Sequence, residues 1–157
     1  MGITARSAVI EDLSILVGLY RDLAAEMDAI KPIWSAADGL PEPAAAAFEA
    51  LMADPDAHIY LGEIGDVPVG FLVARDEALL PQADGRRVAA VRLIFTLEGA
   101  RGVGVGETMT DLFLRDAISR GIRSFDAHVS PGHRESKNFF ESHGFKARSI
   151  VMHRSGE

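Results

Sequence analysis

The chain of 157 residues contains no cysteine. This absence excludes a disulfide framework, a thiol nucleophile and a thiolate metal site. Long apolar runs are also missing, and none approaches the ~18 residues that a membrane-spanning helix needs. The opening residues, Met1 to Arg6, lack the basic and apolar blocks of a secretion signal. We therefore expect one cytoplasmic domain over residues 1–157, with a substantial core and no membrane partner.

Basic residues are scarce in the first half of the chain. Residues 1–80 carry four basic and fourteen acidic side chains, whereas residues 81–157 carry twelve and nine, for a net charge of −7. Because phosphate binding depends on concentrated lysine and arginine, this balance argues against a nucleic-acid partner. A polyanionic ligand held by the second half and a cationic one drawn to the first half would fit the split. Two solvated faces of different charge would fit it equally well. None of the five histidines shows a spacing typical of a metal site, so no metal is expected.

Glycine, by contrast, is concentrated in one stretch, Glu98-Gly99-Ala100-Arg101-Gly102-Val103-Gly104-Val105-Gly106-Glu107. The β-branched segment Val88–Thr96 precedes it, and apolar residues recur at helical spacing from Met109 to Ala117 after it. The pattern predicts a strand, a tight loop and a helix start. Glycine lets backbone N–H groups approach a ligand closely, and a helix start adds partial positive charge. The stretch is therefore predicted to bind an anion such as a pyrophosphate.

Three kinds of phosphate-binding loop are compared with this stretch. A Walker loop requires Lys and then Ser or Thr after its last glycine, but Val105 and Gly106 follow Gly104. A dinucleotide-binding loop, G-x-G-x-x-G in a first βα turn, lacks its third glycine here, although Asp126 stands where a ribose-binding acid would be. That alternative stays open. The third pattern, Arg101-x-x-Gly104-x-Gly106, resembles the acyl-CoA signature of the GNAT superfamily of N-acyltransferases.

Hydrophobic periodicity predicts the remaining elements of the chain. The expected helices are Ile10–Ile30, a second one from Pro41 to Met52, a third from the glycine stretch to Arg120, and Arg134–His143. The expected strands are Ile3–Arg6, Ala57–Ile64, Val69–Arg75, Val88–Thr96, Ile122–Val129 and Phe145–His153. Gly70, inside a strand, predicts a bulge or a close backbone approach.

Further segments resemble the same superfamily. Arg6-x-Ala8-x-x-x-Asp12-Leu13 is similar to its usual opening, Val69-Gly70-Phe71 to its third-strand signature, and Phe140-x-x-x-Gly144-Phe145 to the end of its fourth helix. The resemblance covers nearly the whole chain. It implies an α+β fold in three layers, with a mixed, mostly antiparallel central sheet of about six strands flanked by four helices.

The resemblance also implies acetyl-CoA as acyl donor. In the family mode, backbone N–H groups of Gly102, Val103, Gly104, Val105, Gly106 and Glu107 would hold the pyrophosphate, and the strand edge at Ile94, Phe95 and Thr96 would pair with the pantetheine amides. Arg101 would matter less as a charge than the amides after it, and it could equally brace the loop. His133 stands where the family often has an asparagine that contacts pantetheine. Phe140 stands where the family usually has a tyrosine, and it can shape the thioester pocket but cannot donate a proton.

A proton acceptor is predicted on the strand Ile122–Val129. Strand alternation places His128 with Asp126 on the face opposite Phe125 and Ala127. An unperturbed histidine titrates near ~6.5 and can accept a proton at neutral pH, so His128 is the candidate general base. A partly buried histidine with only structural contacts is the competing interpretation.

The acceptor is expected to be an amine cation, because the family binds acceptors near its first two helices and Trp34 and Asp38 pair an aromatic ring with a carboxylate there. Trp34 could equally be a hydrophobic plug over the core. The resemblance thus implies an N-acetyltransferase that moves an acetyl group to a primary amine of a small molecule or peptide. A GNAT-fold acyl-CoA sensor without amine turnover is the alternative. Dimers are common among members of the superfamily, so a homodimer is a further expectation.

Overall fold

The computed structural model describes residues 2–129 and 134–156. Its centre is one sheet of five strands in the order β1-β2-β3-β4-β5. The strands are β1 (Ile3–Ser7), β2 (Ala57–Ile64), β3 (Val67–Ala78), β4 (Arg87–Thr96) and β5 (Ser124–Ala127). Neighbouring strands are antiparallel except β4 and β5, which are parallel. A parallel pair needs a crossover connection, and a helix supplies it here.

In the part of the chain that the structure describes, five helices flank the sheet: α1 (Leu13–Ile30), α2 (Trp34–Ala37), α3 (Ala44–Ala53), α4 (Val105–Ser119) and α5 (Arg134–Ser142). Helix α4 is the crossover between β4 and β5, and its first residues are the end of the glycine stretch. Short 3₁₀ turns occur at Ile10–Asp12, Pro81–Ala83 and Glu98–Ala100. Within the described ranges, no helix has the length and apolar character needed to cross a membrane.

The two faces of the sheet bury separate clusters of side chains, because successive residues of a strand point to opposite sides. On one face, Phe71, Leu93 and Phe95 pack with residues of α1, α2 and α3. On the other face, Leu72 and Val91 pack with residues of α4 and α5, among them Phe113. The sheet therefore separates α1–α3 from α4 and α5, as a three-layer fold requires.

A buried ion cluster fixes the carboxyl end of α4. Asp76 on β3 is 5% exposed and accepts two hydrogen bonds from Arg120, at 2.9 Å from Nε and 2.8 Å from Nη2. His58 Nε2 lies 3.1 Å from the same carboxylate. One turn earlier, Asp116 accepts a 2.9 Å hydrogen bond from the Tyr60 hydroxyl. These contacts join β2, β3 and α4, so the helix that begins at the glycine stretch is anchored at its far end.

Most of the predicted elements are confirmed, including the fold class. The predicted close approach at Gly70 is also present, since a Cβ there would lie 2.7 Å from the Phe95 carbonyl oxygen. The predicted last strand, Phe145–His153, is wrong: residues 145–156 form no regular structure, and the sheet has five strands rather than about six. Arg148 bonds to Asp126 of β5, but Ile150, Val151 and Met152 are exposed by 67–88%. Alternating side chains do not make a strand without a neighbouring backbone to pair with.

Candidate acyl-CoA site

The glycine stretch forms a turn that leads into the start of α4. Gly102 and Gly104 have φ angles of 82° and 102°, which favour glycine. A Cβ at either position would meet nothing within 4 Å, so the space beside both is open. The first N–H groups of a helix have no acceptor within the helix, and they carry its partial positive charge. The start of α4 therefore presents backbone donors suited to an anion, as the sequence predicted.

Beside this loop, β4 and β5 separate. Their ladder runs from the pair Val88 and Ser124 to the pair Val91 and Ala127. The His128 N–H then donates to the Val91 carbonyl at 2.9 Å, the last backbone bond between the two segments among the described residues. The rest of β4, residues 92–96, continues along β3 alone. Its outer edge can thus accept an extended ligand as an added strand.

The direction of each β4 amide follows from the pairing with β3. The Leu97 N–H donates to the Val69 carbonyl at 2.8 Å. In an antiparallel ladder such bonded positions alternate, so the backbone groups of Ile94 and Thr96 point away from β3. A ligand along the outer edge of β4 would bond to the N–H groups that point outward. Because the Leu97 amide is already bonded, Thr96 and Ile94 are the better-placed N–H groups.

A cavity of about 360 Å³ joins the loop and this strand edge. It is lined by Leu23 and Glu26 of α1, by Ile94, Phe95 and Thr96 of β4, by Ala100, Arg101, Gly102, Gly104, Val105, Gly106 and Glu107, and by Glu135, Ser136, Phe139 and Phe140 of α5. The structure therefore brings together most of the residues predicted to bind the cofactor. Val103 is not among the lining residues and is 55% exposed. His133 lies outside the described residues.

Arg101 is bonded to protein groups on several elements. Its Nε donates to the Thr96 carbonyl at 2.8 Å, and its Nη2 donates to Glu26 Oε1 of α1 at 2.7 Å. Nη1 lies 3.8 Å from Glu135 of α5, and the guanidinium carbon lies 5.5 Å from the centre of the Phe95 ring. This geometry matches the interpretation of Arg101 as a brace for the loop.

Phe140 is 3% exposed and belongs to an aromatic wall on α5. Its ring packs edge-on against Phe139 and Phe145, with centroid distances of 5.1 and 5.2 Å. The wall can enclose an apolar group, but neither phenylalanine of α5 can supply a proton to a leaving thiolate.

His128 lies where β4 and β5 separate, and it is not among the residues that line the cavity. Phe125 and Ala127 pack on the α4 face, so strand alternation directs His128 to the opposite face. Burial lowers the pKa of the His128 imidazole, and the nearby Arg92 cation lowers it further. The ring is therefore neutral at neutral pH, the state in which it can accept a proton.

The two predicted acceptor residues lie in different environments. Trp34 is 5% exposed and packs in the core, with its ring centroid 6.4 Å from that of Tyr20. Asp38 follows α2 at the surface, and its N–H donates to the Trp34 carbonyl at 2.7 Å. Trp34 therefore has the position expected of a hydrophobic plug over the core. The predictions did not include Glu26, Glu135 or Phe139 of the cavity, because a helical pattern does not show which face meets a distant loop.

The comparisons with known proteins agree with this geometry. The sequence pattern of the acetyltransferase (GNAT) family matches residues 20–145. An uncharacterised N-acetyltransferase from Methanocaldococcus jannaschii is 28% identical over 104 residues, which are 66% of this chain and 46% of that protein. The chain thus spans about half the length of this curated relative.

Solved structures share the whole architecture. A transcriptional regulator from Bacillus halodurans superimposes with a TM-score of 0.79 at 22% identity, covering 99% of this chain and 100% of that one. The aminoglycoside N-acetyltransferase AAC(6')-Iy in complex with CoA gives a TM-score of 0.78 at 20% identity, with coverages of 98% and 95%. These likenesses show the fold, and the sequence match over most of the length shows that the chain belongs to the acetyltransferase (GNAT) family.

Proposed function

We propose that the protein is an N-acetyltransferase that moves the acetyl group of acetyl-CoA to a primary amine. The observation that carries the proposal is the cavity between the open edge of β4 and the start of α4. A thioester held along the strand edge and a diphosphate held at the helix start would both fit this arrangement. Family membership and the solved complex of AAC(6')-Iy with CoA support acetyl-CoA as the donor.

The glycine stretch and β4 bind different parts of acetyl-CoA. The N–H groups from Gly102 to Glu107 hold the pyrophosphate, where the helix dipole favours negative charge. The outward N–H and C=O groups of Ile94 pair with pantetheine amides, because amides extended along a strand edge form the same bonds as a further strand. Phe95 and Phe140 border the end of the cavity that takes the acyl group.

The amine nitrogen attacks the thioester carbonyl, so that the C–N bond forms, the C–S bond breaks and CoA leaves as the thiolate. The thiolate takes its proton from solvent, since Phe140 cannot supply one, and no covalent enzyme intermediate forms. A fixed N–H donor stabilises the charge that develops on the carbonyl oxygen, and the Thr96 N–H is our candidate. A lysine-like amine, with a pKa of ~10, is an ammonium at neutral pH and must first lose a proton. We propose that His128 accepts that proton, directly or through a water molecule.

The amine class is also supported by charge. The first half of the chain, which includes α1 and α2, carries fourteen acidic and four basic side chains over residues 1–80. Carboxylates raise the local concentration of a cation. We further propose Asp38, which is exposed at the end of α2, as a contact for the acceptor, while Trp34 supports that surface from the core.

A binding module without turnover is the second candidate. The absence of a hydroxyl at Phe140 favours it, since the usual proton donor to the thiolate is missing. The fold is also compatible with such a role, because a structural neighbour is described as a transcriptional regulator.

One experiment separates the two candidates. The protein is incubated with acetyl-CoA and a panel of small amines, polyamines, aminoglycosides and peptide N-termini, and free thiol is followed. Acetyl-CoA affinity is measured separately by calorimetry. Thiol release that depends on an amine supports the enzyme. Binding without release across the panel supports the sensor, and no binding of acetyl-CoA contradicts both.

A further inference from the structure

The glycine stretch depends on contacts from outside itself for its shape. Gly99, Gly102, Gly104 and Gly106 lie within eight residues, and glycine loses more conformational freedom on ordering than any other residue. Before α4 begins, the Ala100 and Arg101 N–H groups donate to the carbonyls of Leu97 and Glu98, and the Gly104 carbonyl accepts from the N–H and the hydroxyl of Thr108. A contact that ties the stretch to a rigid element therefore has a large effect on how well its amides are oriented.

Arg101 makes that contact, and Glu26 is its partner on a rigid element. Glu26 lies in α1, 75 residues earlier in the chain, and its Oε1 accepts the 2.7 Å hydrogen bond from Arg101 Nη2. The side chains of both residues are under one third exposed, at 28% and 29%. The same guanidinium holds the outward carbonyl of Thr96 through Nε. One side chain thus fixes the glycine stretch to both α1 and the end of β4.

The charge of Glu26 would by itself be unfavourable in this position. A carboxylate that lines a cavity for a polyanion repels it, unless a cation neutralises the carboxylate. Arg101 provides that cation, so the pair brings little net charge to the cavity. An arginine engaged in this way is also less able to act as a direct phosphate ligand. The pair is better suited to orient the loop than to attract the ligand.

We propose that Glu26 is a positioning residue for the acyl-CoA loop, acting through Arg101. The inference rests on the proposed acetyl-CoA site, but it concerns the shape of the free loop and can be measured without a ligand. Two effects of removing Glu26 oppose each other. Loss of the tie disorders the amides and weakens CoA binding, whereas loss of a negative charge strengthens it. The proposal states that the first effect is larger.

The test compares Glu26→Ala with Glu26→Gln. Glutamine keeps an oxygen that can accept from Arg101 but removes the charge, whereas alanine removes both. We expect Glu26→Ala to weaken CoA about tenfold by calorimetry, the size associated with losing a hydrogen bond to a charged group. Glu26→Gln should stay within about threefold of the wild type, because a neutral acceptor retains part of that bond. Amide hydrogen exchange over residues 98–107 should be faster in the alanine variant, with CoA absent.

Arg101→Ala and the double variant show whether the effect passes through Arg101. Residues that act as one unit give non-additive effects, so the double variant should resemble Arg101→Ala rather than the product of both losses. Arg75→Ala is the matched control, since Arg75 and Asp54 form a comparable half-exposed pair at 2.6 Å, with side chains 38% and 29% exposed, away from the cavity. It should change neither CoA affinity nor exchange in the loop.

The outcomes are distinct. Unchanged exchange in Glu26→Ala, or equal or tighter CoA binding by both Glu26 variants, would overturn the proposal. Fully multiplicative losses in the double variant would also overturn it. A wild-type protein that does not bind CoA contradicts the proposed function instead, and the exchange measurements still decide the role of Glu26.

Discussion

Replacing Gly104 with alanine tests whether the loop conformation, rather than its side chains, creates the anion site. Gly104 precedes α4 with φ at 102°, beyond the usual left-handed region near +57°. A Cβ at this position meets no protein atom within 4 Å. The cost of the substitution is therefore backbone strain and not a collision within the protein.

The size of the strain follows from the conformation. An L-residue in the left-handed region costs roughly 1–2 kcal/mol, and strained backbone positions in general cost about 1–3 kcal/mol. If the loop keeps its shape, this free energy appears as lower stability, about 2–4 °C of Tm per kcal/mol for a chain of this size. If the loop relaxes, the same free energy appears as weaker acetyl-CoA binding, about 5- to 150-fold. The two losses together should account for the strain.

Two glycines of the same stretch provide controls, with thermal unfolding and calorimetric titration as the assays. Gly99 has no left-handed φ, and a Cβ there meets nothing within 4 Å, so Gly99→Ala should change neither quantity much. Gly106 lies in the first turn of α4, and a Cβ added there would lie 3.8 Å from the Phe139 ring, which is an ordinary van der Waals contact. Gly106→Ala should raise stability by about 0.5–1 kcal/mol through helix propensity. A Gly104→Ala protein with the Tm and the acetyl-CoA affinity of Gly99→Ala would refute the reasoning.

Four further predictions concern the proposed base, its pH dependence, the ion cluster and the core. His128→Gln should lower turnover about tenfold or more with acetyl-CoA affinity preserved, and steady-state kinetics beside calorimetry would show it; unchanged turnover removes His128 from the mechanism. Since the pKa of His128 is lowered, turnover should persist to mildly acidic pH and fall as pH drops through that pKa. Arg92→Gln removes a cation that lowers the pKa of His128, so the acidic limb of the pH–rate profile should move to higher pH. Burial opposes ionisation of Asp76, but hydrogen bonds from Arg120 and His58 outweigh burial and lower the pKa of Asp76. The contribution of Asp76 to folding stability is therefore present above pH ~4 and is lost as pH falls through the lowered pKa. Asp76→Asn should therefore cost about 3 kcal/mol at neutral pH, or about 6–12 °C in Tm, with a smaller difference from the wild type in acid. Trp34→Ala should cost about 3–5 kcal/mol in denaturant unfolding, because Trp34 is a core residue; a loss confined to acceptor KM would instead make it a binding residue.

The parts of the fold that were predictable depend on local pattern. The hairpin of β2 and β3, the strand β4 and the helix α4 each follow from periodicity and from glycine or proline at their ends. The segment Phe145–His153 is also rich in apolar residues and was predicted as a strand, but it forms no ladder in the structure. Periodicity reports which residues share a face, whereas a strand also needs a neighbour, and the neighbour is decided elsewhere in the chain.

The candidate site also has one part that could be predicted from the sequence and one part that could not. Its backbone part was predictable because a left-handed φ favours glycine, and the sequence shows glycine at both positions of the loop that adopt it, Gly102 and Gly104. The ion pairs were not predictable: Arg101 and Glu26 are 75 residues apart, Arg120 and Asp76 are 44 apart, and local sequence does not distinguish an arginine with a fixed partner from a solvated one.

Recognition by backbone groups and recognition by side chains differ in how they depend on tertiary packing, and this affects the acceptor site. A diphosphate can be recognised by amides that every residue carries, so its binding does not require a particular side chain at an exposed loop position such as Val103. Recognition of an amine cation draws on side-chain groups such as carboxylates and aromatic rings, whose position depends on tertiary packing. Trp34 illustrates the point, because an aromatic residue in a loop containing proline is equally suited to a binding surface and to the core, and the structure places it in the core. We therefore propose that acceptor specificity depends on exposed carboxylates such as Asp38. Variants there should change the acceptor KM and leave acetyl-CoA affinity unaltered, whereas a parallel loss of both would place the two ligands on shared residues.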